Sequence, residues 1–225
     1  PAQHHTGRPP LPGAAAFEAP VSAPGRTRVR LCRAYDNGSN AISARLWWMM
    51  RFYGKKAALL DGGYASWLDA GYPLESGNPQ VTPSVPETLE PDPDMIVSAE
   101  AIKAHLNTGA EPVIDARAPD RYSGKVEPLD SRAGHIPGAL NRPFTLNLDS
   151  SGRFKPAVEL RSEFEALLAN TRADKVVHSC GSGVTACHNL FAMELAGFAG
   201  SRLYPGSWSH WITDPERPIA TGQAS

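Results

Sequence analysis

Long hydrophobic runs, cysteine and net charge are what this sequence has least of. Nothing approaches about 18 consecutive apolar residues, so no membrane-spanning helix and no membrane partner are expected. Three cysteines are too few, and odd in number, for a disulfide framework. They suit a reducing compartment, so a cytoplasmic location is expected. Basic and acidic residues nearly cancel, leaving a net charge of -1. That balance sets up no global field to attract nucleic acid or an anionic membrane. No apolar core near the first residue marks a signal peptide.

What is present is enough for a folded protein. Hydrophobic residues make up 41% and charged residues 20% of 225 residues, which excludes a disordered chain. The length allows one large domain or two small ones at about 150 residues each. Residues 1–28 are rich in proline, alanine and glycine, lack hydrophobic periodicity, and read as unstructured or divergent. The pattern becomes ordered over 29–74. An apolar run ends at Tyr35, and Asp36-Asn37-Gly38-Ser39 turns. Ala41 to Phe52 follows as a helix, with Ile42, Leu46, Met49 and Phe52 as its expected buried face. Ala57 to Leu60 reads as a short strand, and Asp61-Gly62-Gly63 turns into a helix carrying Trp67. Residues 75–94 form a proline-rich linker.

A longer unit is expected over 95–222. Ser98 caps a helix to about Leu106, and Pro112 to Asp115 is a strand. Val158 to Leu168 is a helix, Lys175 to Ser179 a strand, and Cys180 to Thr185 a glycine-rich loop. Ala186 to Ala196 is a helix, Ser201 to Tyr204 a strand, and a last helix begins at Ser207. Strands alternating with helices indicate an α/β fold with parallel sheets flanked by helices.

The two units are copies. A displacement of 144 residues, the interval from Asp36 to Cys180, superimposes Leu46 on Leu190, Met49 on Met193, Leu59 on Leu203, Gly62 on Gly206 and Trp67 on Trp211. The order of elements matches as well. With the second copy as ruler, roughly 50 residues of the first are missing, so the first domain is expected to be incomplete.

The sharpest chemical feature is Cys180-Gly181-Ser182-Gly183-Val184-Thr185. A strand delivers the cysteine to a tight loop and a helix starts directly after. Inward amides and a helix N-terminus form a cradle for an anion, so Cys180 is expected to ionise readily and act as a nucleophile. Ser182 and Thr185 offer hydroxyls to the same cradle. The bland alternative is an inert core cysteine. A phosphatase or arsenate-reductase loop is disfavoured because Ala186 stands where those enzymes need an arginine. Cys180, Cys187, His178 and His188 cluster in sequence but lack paired Cys-x-x-Cys spacing, so no metal and no cofactor are expected. Cys187 and Cys32 read as structural. Arg117 and Arg121 follow the strand at Asp115, where either a substrate contact or an ion pair with Asp115 or Asp120 would explain them. His135 and Trp208 read mainly as structural, Trp208 also as a possible pocket wall.

These residues resemble the tandem-domain rhodanese sulfurtransferases. The resemblance runs from about Val29 to Thr221. It rests on Tyr35-Asp36, Ala44 to Trp48 and Asp61-Gly62-Gly63 in the first copy. In the second it rests on Asp115-Ala116-Arg117, Arg121 to Gly124, Gly134 to Ala139, Cys180 to Ala186 and Gly206 to Ser209. It implies two tandem rhodanese-like domains, the first catalytically silent with Asp36 at its loop apex. It also implies that Cys180 takes the sulfane sulfur of a small anionic donor, thiosulfate or 3-mercaptopyruvate, and holds it as a persulfide. The sulfur then passes to cyanide or to a thiol such as thioredoxin, with ping-pong kinetics. Arg121 and residues Gly181, Ser182, Gly183, Val184 and Thr185 are the implied substrate contacts. The family's second arginine, in a Glu-Pro-Arg segment, is Leu129 here, with Arg132 as a possible substitute. Its loss would cost about 1.5–3 kcal/mol of carboxylate binding. A non-catalytic sulfur- or partner-binding module is the alternative.

Overall fold

The computed structural model describes residues 11–21, 31–77, 89–106, 108 and 110–223. The chain divides into two compact units, one ending at Pro93 and the other running from Asp94.

In the first unit, β1 (Cys32–Ala34) and β2 (Ala57–Leu59) pair in parallel. The connection between them is α2 (Ser43–Phe52), and α3 (Gly63–Asp69) follows. The buried face of α2 is Ala44, Trp47, Trp48, Met50 and Phe52. Ile42, expected on that face, is 71% exposed. Ile42 stands before the helix as its N-cap residue, with its backbone N–H donated to Asp36 Oδ2. Gly54 ends the helix at φ +70°, a left-handed cap that a side chain would strain.

Residues 1–28 were expected to lack structure, yet α1 (Ala14–Val21) forms within them. Its helix is not amphipathic. Among the described side chains its anchor is Phe17, which is buried and stacks on Tyr53 at 4.9 Å, while the Tyr53 hydroxyl donates to the Pro12 carbonyl. A single aromatic anchor has no period, so composition alone hides it. Most of the expected linker, 78–88, lies outside the described residues.

The second unit holds a four-stranded parallel sheet in the order β4 (Leu140–Asn141), β3 (Val113–Asp115), β5 (Val177–Ser179), β6 (Arg202–Leu203). Strand β4 is only two residues long and follows the Gly134 to Gly138 turn, which reads in the sequence as a turn into a short strand. Its helices are α4 (Ala99–His105), α5 (Pro119–Tyr122), α6 (Ala157–Leu168), α7 (Ala186–Leu195) and α8 (Ser207–Trp211). Ser98 Oγ caps α4 by accepting from the Ala101 amide. Side chains alternate across each strand. Val113 and Val177 pack with Ile102, Trp208 and Trp211 of α4 and α8, so Ile114 and His178 face the opposite side. Leu160, Phe164, Leu190 and Met193 supply buried surface from α6 and α7.

The repeat holds at the level of single hydrogen bonds. Ala34 pairs with Leu59 and His178 with Leu203, the same register 144 residues apart. The Leu60 amide donates to Ala34 O at 3.0 Å, and the Tyr204 amide to His178 O at 2.9 Å. The Tyr64 amide donates to Asp36 O at 2.8 Å, and the Trp208 amide to Cys180 O at 3.0 Å. Gly63 and Ser207, also equivalent, both take positive φ.

Candidate active site

Parallel strands bring the loops that follow them to one edge of the sheet, where ligand sites form. Three such loops meet here. The loop after β5 carries Cys180, the loop after β3 carries Arg117 and Arg121, and the segment after β4 carries Phe144. Together they line a cavity of about 600 Å³.

Cys180 is 2% exposed. Its backbone is held from both ends. Its N–H donates to Ser207 Oγ at 3.1 Å, and that hydroxyl donates in turn to Tyr204 O at 3.0 Å. The Cys180 and Gly181 carbonyls accept from the amides of Trp208 and Ser209. The side chain meets the loop: the Gly183 N–H donates to Cys180 Sγ at 3.1 Å. Gly183 sits at φ +76°, which aims its amide back at the sulfur and which other residues adopt reluctantly. Behind it, Cys187 Sγ donates to Gly183 O at 3.3 Å. One glycine is therefore gripped between two sulfurs. Gly181, Ser182, Val184 and Thr185 line the cavity with Cys180. Thr185 is the N-cap of α7 but its hydroxyl makes no cap bond.

Arg117 and Arg121 take different roles. Arg117 is buried, with Nε and Nη2 on Asp115 and Nη2 also on Gly134 O at 2.7 Å. Burial would lower its affinity for a proton, but Asp115 and Glu127 outweigh that and raise its pKa further above the ordinary guanidinium value. Its head lies 4.9 Å from the Trp208 ring. Arg121 pairs with neither of the expected acids. Its Nη2 donates to Glu127 Oε1 at 2.7 Å and to Asp130 Oδ2 at 3.5 Å, and its Nε to Glu127 Oε2 at 3.3 Å. Its Nη1 packs on the Cys180 loop, 3.4 Å from where a Cβ on Gly181 would stand. Glu127 also accepts the amides of Leu129 and Asp130. Burial pushes its carboxyl up, but Arg121 and those amides prevail and hold it below the ordinary range.

The remaining sequence candidates fall outside the cavity. His178 is fully buried with neither ring nitrogen bonded, and burial lowers its pKa to about 3. His188 stacks on Phe154 at 4.5 Å and faces Asn147. His135 stacks on Tyr122 and bonds its carbonyl. The Trp208 Nε1–H donates to Arg132 O at 2.9 Å, and the Arg132 side chain is exposed away from the lining. Among the described residues no cluster of His, Cys, Asp and Glu is arranged to hold a metal. Glu127, Asp130, Phe144 and Ser207 were not singled out as site residues. The acidic pair within Glu127-Pro128-Leu129-Asp130, next to two arginines in sequence, was the available signal for the first two.

The equivalent loop of the first unit holds a carboxylate. Asp36 Oδ1 accepts the amides of Gly38 and Asn40, and Oδ2 those of Ile42 and Ser43 plus the Ser43 hydroxyl. Burial raises its pKa, but the four amides outweigh that and bring it below the ordinary 3.8. The same backbone geometry that collects amides around an anion thus recurs in both loops.

Comparisons with known proteins identify the family. The rhodanese-like domain family matches residues 98–214. A protein of Pseudomonas aeruginosa named probable 3-mercaptopyruvate sulfurtransferase is 47% identical over 219 residues, 96% of this chain and 77% of its own length. The human 3-mercaptopyruvate sulfurtransferase is 37% identical over 95% of this chain and 73% of its own. The solved structure of 3-mercaptopyruvate sulfurtransferase from Leishmania major superimposes with a TM-score of 0.81 at 30% identity, covering 96% of this chain and 60% of that one.

Proposed function

Since the chain belongs to the rhodanese-like sulfurtransferases, a family of α/β sulfur-transfer enzymes, we propose that Cys180 is its sulfur carrier. The observation that carries this reading is the Gly183 amide on Cys180 Sγ at the floor of the cavity. An N–H that donates to Sγ supports negative charge on it as the attacking group. The donor is thiosulfate or 3-mercaptopyruvate. Cys180 attacks its sulfane sulfur, and sulfite or pyruvate departs. The persulfide then gives that sulfur to cyanide or to a thiol such as thioredoxin, regenerating Cys180.

Arg121 binds the anionic part of the donor. Gly181, Ser182, Gly183, Val184 and Thr185 surround the sulfur. Residues 95–222 form the catalytic domain and 29–74 the silent one, joined by 75–94. No described helix is long and apolar enough to cross a membrane. The three cysteines are all free thiols, which fits the reducing cytoplasm.

The test is mass spectrometry after mixing with each donor. Cys180 should gain about 32 Da, one sulfur atom, and lose it again on addition of cyanide. An unchanged mass with every donor refutes the assignment.

A further inference from the structure

Two equivalent positions differ in a way their shared backbone does not require. Gly63 and Ser207 both sit in the left-handed region, at φ +60° and φ +51°. Glycine adopts that geometry freely, while a residue with a Cβ is strained in it. In the first unit glycine is also needed for space. A Cβ on Gly63 would stand 2.5 Å from Asp36 O and 2.9 Å from the N and O of Gly38, closer than such atoms approach one another. The Asp36 loop is therefore closed down on that glycine. Ser207 carries a Cβ into the equivalent place and is fully buried there, so the Cys180 loop cannot close in the same way. The amides that reach the two apex side chains differ accordingly. Asp36 Oδ1 takes those of Gly38 and Asn40, whereas Cys180 Sγ takes that of Gly183, which is equivalent to neither. The Ser207 hydroxyl is engaged on both sides. It accepts the Cys180 N–H at 3.1 Å and donates to Tyr204 O at 3.0 Å, tying the start of the loop to the residue that follows β6.

We propose that Ser207 is a positioning residue for sulfur transfer: its Cβ wedges the Cys180 loop open, and its hydroxyl fixes the Cys180 main chain so that Sγ meets the Gly183 amide. This rests on the sulfurtransferase reading above and adds a residue that acts through Cys180. Ser207 is not part of the cavity lining, so its removal touches the placing of the nucleophile and not the holding of the donor. The strain at this position gives the idea its edge. A serine that served only the backbone would be bettered by glycine, which relieves the left-handed geometry and already holds the same fold at Gly63. A serine that places the nucleophile is harmed by that same exchange, because wedge and tie are lost together.

The experiment is single-turnover persulfide loading of Cys180 on the full chain, read as the gain of about 32 Da, with thiosulfate and with 3-mercaptopyruvate over a range of concentrations. Ser207→Ala keeps the Cβ and loses the hydroxyl, and should lower the limiting rate by about 10-fold, the scale of one hydrogen bond. Ser207→Gly loses both and should lower it by about 100-fold. The donor concentration that gives half the limiting rate should stay within about twofold in each. Alkylation of Cys180 by iodoacetamide, which needs no donor, should slow in the same order. Near-ultraviolet circular dichroism of Trp208 and Trp211 reports whether α8 stays packed, and a variant that loses this signal leaves the decision to the other. Its loss in both makes Ser207 a structural residue and overturns the proposal. So does an unchanged limiting rate, a Ser207→Gly rate no lower than that of Ser207→Ala, or an effect confined to the half-saturating concentration, each of which leaves the sulfurtransferase reading standing. No loading of the unaltered chain by either donor removes that reading instead. Alkylation then judges Ser207 alone, and equal rates in all three proteins end its role.

Discussion

The loops at Asp36 and Cys180 are the same backbone put to two uses. In one, a carboxylate carried by the loop itself collects four amides and a hydroxyl. In the other, a smaller sulfur meets the Gly183 amide and faces a cavity with Arg121 beside it. The difference teaches that an amide cradle is not in itself a catalyst. Filled by its own side chain it is a structural knot; given a nucleophile and an adjoining cavity it becomes a site. The apex side chain and the surroundings of the loop decide together, and the strands behind stay in the same register in both units.

The comparison breaks most sharply at the sulfur. Cys180→Ser should reduce sulfur loading by more than about 1,000-fold, measured as persulfide formed per minute. Asp36→Cys should gain no sulfur under the same conditions, since no guanidinium contacts Asp36 among the described residues. Peptide mapping distinguishes the two cysteines, and a loaded residue 36 would show that the loop alone suffices. Next in size is Arg121→Ala, expected to lower kcat/KM for an anionic donor by about 10- to 100-fold. Arg121→Lys should recover only part of this, because it restores charge without the fork.

Smaller effects separate the two units by stability. Asp36→Ala should destabilise the first unit by about 1–3 kcal/mol, since it strands buried amides; denaturant unfolding followed by the tryptophans of α2 reads this. Acid should act on the two units in different windows. His178 titrates near 3 in the fold against 6.5 ordinarily. The unfolded chain therefore takes up a proton that the folded one refuses as pH drops below 6.5. The second unit loses up to about 1.4 kcal/mol per pH unit over that window, and His178→Leu should flatten the slope. At the equivalent place the first unit has Ala34, and its Asp36 is held below 3.8. A depressed carboxyl stabilises above its unfolded value and gives that up only as pH falls through its folded one. The first unit's contribution from Asp36 should persist to lower pH.

Much of this was legible in the residues. Five identities at one spacing, with Gly62 on Gly206 and Trp67 on Trp211, reported a repeat whose hydrogen bonds coincide. The strand–cysteine–glycine loop–helix order placed Cys180 because that arrangement depends on local turn chemistry. What escaped depends on contacts across distance. Phe17 of α1 stacks on Tyr53, and Ser207 holds Cys180 from 27 residues away. Ile42 misses the buried face because the helix starts one residue later, at Ser43. Arg121 was legible as a candidate and the acidic pair at Glu127 and Asp130 was visible, but a loop without period does not say which arginine such a pair serves.

Glu127 binds both arginines and the amides of two neighbours. Any change to it unfastens several parts together, so heredity has little room for trial at that codon. Leu129, two places on, is tethered by its main chain and turned to the open. A substitution at 129 would reshape the rim of the cavity while leaving the bonds of Glu127 in place, since those reach only the main chain there.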